Sequence, residues 1–534
     1  MYDVCIIGSG AGGGAMAYAL SRGGMRVLVL EKGPWYTEKD FVHDEIKTVR
    51  RNFFTPSPEH EPHMLDGERS SMGWIACCVG GGTVHMAGYF YRLHPDDFRM
   101  ESRFGSHSGI SLADWPYSYE ELEPYYTEVE QVIGISGQAG ANPFEGARSR
   151  PYPLPPMVDH PMAAWIDRAG KKLGFHTYPS PRAIISRDYR GRKACVYCHF
   201  CGSYGCEVGA KSSSLSSFLP LAQKTGKCEI RSGCMVREVE VGKDGRATGC
   251  VYIDPEGKEH RVEASIVCVS ASGIESARLL LLSKSNRFPD GLANGSGLVG
   301  KNLQFSVFSA GRGTFPYSGD PILKNKLPFL GRSMQDYYFL PEGVSDLAKG
   351  GTIRFGFPHS NPIFTGLRLS HRDSPQLWGQ ALKDEMKKYW KEEKTVEFET
   401  FADFLPNPGT RMDLDPKVRD QWGLPVARLQ IRSPEHHRKA GEFLQKKGLD
   451  VLKEAGAAEV HAETVGGVTG HLVQGTCRAG KDPKKSVLNE DCRSHEVPNL
   501  YVVDGSFLPT SGGVPTTQTI MANGLRTAAR ILKK

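Results

Sequence analysis

The sequence predicts an α/β, Rossmann-like nucleotide-binding domain joined to an α+β domain built on an antiparallel sheet. Two observations carry this reading: a strand, glycine turn, helix and second strand at residues 2–31, and alternating, strand-like segments in the middle of the chain. In the first, YDVCII (2–7) has the pattern of a short buried strand, and apolar residues then recur at helical spacing as far as Leu20. Between them Gly8, Gly10 and Gly13 form G-x-G-x-x-G. The first glycine makes the turn, the second admits a pyrophosphate, and the third lets helix pack on strand. The helix N-terminus then offers an anion site. A second strand, RVLVL (26–30), ends at Glu31, where an acidic side chain can accept from ribose hydroxyls.

A chain of 534 residues can bury a sizeable core, and 39% hydrophobic with 24% charged residues is ordinary for a globular protein. The formal charge of +6 is small and its cations are scattered, which argues against a nucleic-acid partner. No stretch approaches the roughly 18 apolar residues of a membrane span. No charged n-region precedes an apolar run, so a cytoplasmic location is the default, with export to the periplasm alongside a signal-bearing partner as the alternative.

Further segments extend the reading. VGGGTVHMAGYFYR (79–92), SASGIESARLLLLS (270–283), the run from Gly475 to Gly513 and TIMANGLRTAARI (519–531) stand in the order and spacing of the signatures of the glucose-methanol-choline (GMC) oxidoreductases, and EKGP (31–34) resembles the E-x-G of FAD-dependent enzymes. The resemblance spans nearly the whole chain. It implies a discontinuous FAD domain, residues 1–305 and 466–534, with an excursion at 36–75, and a substrate domain at 306–465. The segments 351–357 and 418–431 read as strands and 382–394 as a solvated helix. Gly80, Gly81 and Gly82 allow close backbone approach to the cofactor. By the resemblance, His85 packs against the flavin or bonds to it covalently, Val236 meets the adenine, Asp504 and Gly505 lie near the pyrophosphate and ribityl chain, and Thr516 and Thr517 belong to the final loop beside the cofactor.

Alcohol oxidation needs a base beside the flavin, and histidine suits that near neutral pH. The resemblance assigns the base to His471 in GHLVQGTC, with Gln474 where the family has glycine. A second family position, His or Asn, falls on Val514 or Pro515 in VPTTQTI, neither of which can donate from its side chain. Gln518 or Thr516 is then expected to orient the substrate oxygen.

CVYCHFCGSYGC places Cys195, Cys198, Cys201 and Cys206 at C-x2-C-x2-C-x4-C, near a ferredoxin run. An iron–sulfur cluster, 3Fe-4S or 4Fe-4S, is the preferred occupant, with structural zinc or a disulfide as alternatives. The segment is similar to that of bacterial FAD-dependent sugar dehydrogenase catalytic subunits, which implies a small subunit and a cytochrome acceptor as partners. The expected activity is oxidation of an alcohol, a sugar or glycoside hydroxyl, by hydride transfer to flavin. An oxygen-reducing oxidase with structural cysteines and a non-redox, lyase-like relative are the alternatives.

Overall fold

The computed structural model describes residues 1–50, 59–70, 76–317, 319–371, 375–468, 470 and 472–533. Strand β1 (Tyr2–Ile7), helix α1 (Ala11–Arg22) and strand β2 (Val27–Leu30) form as the pattern predicts, and β1 and β2 pair in parallel from Val4↔Val27 to Ile7↔Leu30. The apolar side chains of both strands are buried, as a parallel sheet covered on its faces requires. Cys228–Arg231 extends the sheet beyond β2, and Glu259–Val269 and Leu500–Val502 extend it beyond β1, all in parallel. Glu259–Val269 also continues into an antiparallel meander with Ala247–Ile253 and Met235–Val241. Helix Thr517–Leu532 packs on α1 at small residues: a β-carbon added at Gly524 would lie 3.0 Å from the Gly12 carbonyl oxygen and 3.1 Å from the Ala15 methyl.

The second sheet is antiparallel and six-stranded, with Glu459–Val468, Ser306–Pro316, Glu393–Asp403, Gly351–Gly356, Arg332–Met334 and Thr177–Pro179 in that order. Helix Glu435–Glu454 covers one face, where Gly448 closes on the Phe398 ring. The solvated helix expected at 382–394 is Gly379–Lys391, with no buried residue. Strand Glu459–Val468 runs across residue 465, and the sheet takes in Thr177–Pro179, far from its other strands in sequence, because ladder hydrogen bonds join distant segments. Part of the excursion, at 51–58 and 71–75, lies outside the described residues. Its described part supplies His63–Leu65 and Glu68–Ser70 to a four-stranded sheet with Arg411–Arg419 and Pro425–Gln430. Among the described residues no helix is long and apolar enough to cross a membrane.

Candidate active site

A cavity of about 1270 Å³, partly open to solvent, opens at the C-terminal ends of β1 and β2, where open α/β sheets bind ligands. Of the residues expected to hold the cofactor, Gly8, Gly10, Glu31, Gly81, Gly82, Val236, Asp504 and Gly505 line it. Gly8, at φ +96°, has no room for a side chain, since a β-carbon there would fall 2.2 Å from the Ser270 carbonyl oxygen. A β-carbon at Gly10 would meet nothing within 4 Å and would project into the space a pyrophosphate needs. Gly13 packs the helix on the turn, its missing β-carbon lying 2.0 Å from the Gly8 carbonyl oxygen.

Glu31 and Asp504 face this space as buried carboxylates with engaged oxygens. Glu31 Oε2 accepts from Ser9 N–H at 3.0 Å and Ser9 Oγ at 2.6 Å, and Oε1 accepts from Gly33 N–H at 2.9 Å. Asp504 Oδ1 accepts from Ser506 N–H and Oγ, and Oδ2 from Ser272 N–H and Ser276 Oγ. Burial raises the pKa of both, partly offset by these donors. The cavity also takes in residues that the sequence did not single out: Lys32, Cys77, Ser272, Glu275, Arg278 and Leu472. Four of these follow or sit within motifs already noted, EKGP and SASGIES. Burial pushes the Cys77 thiol up to about 12, so it lines the wall as a neutral group.

At one end, Lys32 pairs with Glu61 of the excursion, and Arg278 pairs with Glu275 and Asp420. His63 Nε2 lies 3.4 Å from Glu275 Oε1. These buried pairs fasten the four-stranded sheet over the cavity.

At the other end the segment following His471 threads between three partners. His471 itself lies outside the described residues. Leu472 is left-handed at φ +56° and lines the cavity, a strained conformation for a leucine. Gln474 exchanges two backbone hydrogen bonds with Gln304, and Gly475 N–H donates to Gly505 O. Thr516 Oγ donates to Gln474 Oε1 at 2.8 Å.

This geometry gives two of the expected residues other partners. The one proton of the Thr516 hydroxyl is spent on Gln474, so it does not donate to a substrate oxygen. Gln518 donates to Glu130 Oε1 at 2.7 Å, within a buried network of Arg92, Glu123 and Arg148, and does not line the cavity. Two helical positions, about 200°, turn it to the far side of Thr517–Leu532 from Ile520, which does line the cavity. Thr517 opens that helix, half-buried, and Gly80, at φ +94°, braces the turn against Leu215 and Val84. Neither these two nor His85 line the cavity; the His85 carbonyl accepts from Ser203 N–H at 2.8 Å and joins the glycine turn to the cysteine segment.

The four cysteines of that segment are half-buried free thiols. Among the described residues no three His, Cys, Asp or Glu side chains are gathered as a metal site, and the four cysteines are not joined in disulfides. Cys195 and Cys206 lie against Leu154, Ile185 and Ala210, and Cys195 and Cys201 against Met157, Ile184 and Phe329, so Cys195 touches both apolar clusters. Burial raises the pKa of Cys195, Cys198 and Cys201. Tyr197 N–H donates to Cys195 Sγ at 3.3 Å, and Tyr197, His199 and Ser203 are all left-handed.

Fold and cavity together define a protein with a dinucleotide-binding site beside an antiparallel sheet. The chain belongs to the GMC oxidoreductase family, whose N-terminal domain matches residues 11–307 and whose C-terminal domain matches 406–524. It is 32% identical to 2-methyl-1,2-propanediol dehydrogenase of Mycolicibacterium austroafricanum, over 100% of this chain and 95% of that protein. It is 29% identical to the fructose dehydrogenase large subunit of Gluconobacter japonicus, over 99% of this chain and 97% of that subunit. Among solved structures, pyridoxine 4-oxidase from Mesorbium loti has the same fold, with a TM-score of 0.63 at 18% identity and 100% of both chains covered.

Proposed function

We propose that this enzyme oxidises a hydroxyl of a small polyol or sugar to a carbonyl and passes the electrons to an acceptor other than oxygen. The observation that carries the reading is the cavity itself, which joins a dinucleotide site at Gly8–Gly10 to the segment that follows His471. FAD, when bound there, supplies the hydride acceptor. The chain's own residues do the rest. Gly10, Gly81 and Gly82 leave room for the cofactor, and Glu31, whose carboxylate accepts three hydrogen bonds, keeps one acceptor lone pair for its hydroxyls, whereas the Asp504 carboxylate is already engaged by four donors. His471 takes the hydroxyl proton of the substrate. Similarity to a diol dehydrogenase and to a sugar dehydrogenase subunit supports the substrate class.

The cysteine segment is proposed as the seat of an iron–sulfur cluster serving that transfer. The N–H···S bond from Tyr197 and the close C-x2-C-x2-C-x4-C spacing support this, because thiolate-held anionic clusters are met by short cysteine runs with N–H groups turned to sulfur. An anaerobic absorbance titration of the holoenzyme with sugars and diols, beside iron and acid-labile sulfide analysis, tests both parts. Flavin bleaching is expected with a polyol or sugar, over a broad iron–sulfur shoulder. Bleaching without iron removes the cluster, and an unbleached flavin removes the oxidation.

A further inference from the structure

Among the described residues, five large apolar side chains exposed to solvent fall within residues 363–390, a stretch that the functional reading above does not use. Ile363, Phe364 and Leu367 are 46%, 62% and 56% exposed, and Trp378 and Trp390 are 82% and 42% exposed. Scattered exposure of this kind is ordinary, whereas a gathered patch marks a contact surface. The first three lie on helix Pro362–Ser370, and the tryptophans open and close helix Gly379–Lys391.

This exposure is built into the fold. Leu377 N–H donates to Ser370 O at 2.8 Å, and a β-carbon at Gly366 would lie 3.5 Å from Met386 Cε, so the two helices pack side by side. Thr365 and Leu369 are buried under the first helix, and Arg368 pairs with Glu463 at 2.8 Å and Glu397 at 3.9 Å on the six-stranded sheet. Glu45 accepts from the N–H groups of Ile363 and Phe364 at 2.7 and 2.9 Å, which satisfies two donors of the first turn. Ile363, Phe364 and Leu367 share the face opposite to Thr365 and Leu369.

The second helix adds charge. At about 100° per residue, Lys383, Lys387, Trp390 and Lys391 fall within about 100° of arc, and the half-buried Leu382, Met386 and Tyr389 form its inner side. Asp384 borders the stripe and accepts from Gln380 Nε2 at 2.9 Å. Lys387 meets Glu392 only at 3.9 Å, with both side chains exposed, a pair that water and salt weaken.

This mixture separates two kinds of partner. The core of a protein interface is depleted in lysine, because an ammonium buried without a carboxylate is costly. A phospholipid surface takes both components: aromatic and aliphatic side chains enter the headgroup layer, and lysines meet its phosphates. At 9 and 13 residues the helices are too short to span a bilayer, so they seat in the plane of its surface.

We infer that this helix pair docks the enzyme on the surface of an anionic phospholipid bilayer. Phe364, Leu367 and Trp390 enter the headgroup layer, and Lys383, Lys387 and Lys391 face the phosphates. The inference goes beyond the reaction proposed above and does not rest on it.

The test sediments the purified holoenzyme with extruded vesicles, either of phosphatidylcholine alone or of phosphatidylcholine and phosphatidylglycerol in equal parts. Phe364→Gln with Leu367→Gln removes the apolar contact, and Lys383→Gln with Lys387→Gln and Lys391→Gln removes the charge. All five side chains are exposed, so each variant is expected to keep its flavin absorbance and melting temperature. The wild type is expected to bind the anionic vesicles at least tenfold more tightly than either variant, to bind phosphatidylcholine alone more weakly, and to be released by salt. Acyl-brominated lipid is expected to quench part of the wild-type tryptophan fluorescence, and Trp378→Phe with Trp390→Phe to remove that part. Wild-type protein that stays in the supernatant, or folded variants that bind as tightly as the wild type, overturn the site. A wild-type dimer in size-exclusion chromatography that binds no vesicles, and that the apolar variant converts to a monomer, overturns it in favour of a second copy of the chain.

Discussion

Thr516 Oγ and Gln474 Oε1 lie 2.8 Å apart, and this one hydrogen bond joins the segment that follows His471 to the cap of the last helix. Both residues are 1% exposed, so neither group can turn to water if the other is removed. The side-chain amide of Gln474 also donates to Phe305 O at 3.2 Å, which ties the same junction to the start of strand Ser306–Pro316 in the six-stranded sheet.

Gln474→Leu is therefore expected to slow substrate bleaching of the flavin by about tenfold, the rate equivalent of one net hydrogen bond. Thr516→Val should do the same, and the double variant should be little worse than either single one. Additive losses in stopped-flow reduction would show that the two side chains act separately.

Gly8 and Gly10 separate folding from cofactor binding. Gly10→Ala has room for its methyl in the apoprotein and should leave apoprotein melting unchanged while abolishing FAD retention on desalting. Gly8→Ala meets the Ser270 carbonyl at φ +96° and should lower the melting temperature of the apoprotein as well. Retention of FAD by Gly10→Ala would place the pyrophosphate elsewhere.

Lys349 and Asp97 form a fully buried ion pair, Nζ to Oδ1 at 2.7 Å, and Asp97 also accepts from Tyr338 OH, which in turn accepts from Gly513 N–H. Lys349→Met strands the carboxylate and should cost roughly 3–5 kcal/mol. Adding Asp97→Asn should restore part of it. Urea unfolding monitored by circular dichroism would reveal the recovery or its absence.

Glu123 carries an acid-stability signature. Burial opposes its charge, but Ser149 N–H and the Arg92 guanidinium outweigh that and hold its pKa down to about 2. A carboxylate lowered on folding stabilises the protein above its unfolded pKa of 4.5, and that contribution is lost as pH falls toward 2. Glu123→Gln should thus lower stability near neutrality and flatten the melting-temperature profile between pH 4.5 and 2. A variant profile parallel to the wild type would assign the acid transition to other groups.

The first 31 residues were legible because everything that forms the dinucleotide turn is local: strand, glycines, helix and Glu31 lie within one βαβ unit. The strands at 351–356 and 425–430 were legible from alternation, but not their partners, and the reading at 418–431 missed nearly all of Arg411–Arg419. Arg428 pairs with Met64 across the molecule, and no periodicity encodes such a register. The turning of Gln518 to Glu130, 388 residues away, was equally hidden, since helix phase depends on which face finds the core. Leu472 was missed for another reason: its left-handed backbone belongs to the fold around it, and nothing in the leucine announces it.

The dinucleotide cavity draws its walls from β1, from residues 76–82, 234–236 and 270–282, and finally from 472–473, 504–505 and Ile520. A ribosome makes those walls in that order, and helix Thr517–Leu532 must reach back to α1 before the last is in place. Cofactor loading is thus post-translational by construction. The nascent chain spends its synthesis with a half-built pocket, and the cell's flavin supply acts on the finished polypeptide, where tight binding pulls the late-arriving segments into the folded state by mass action.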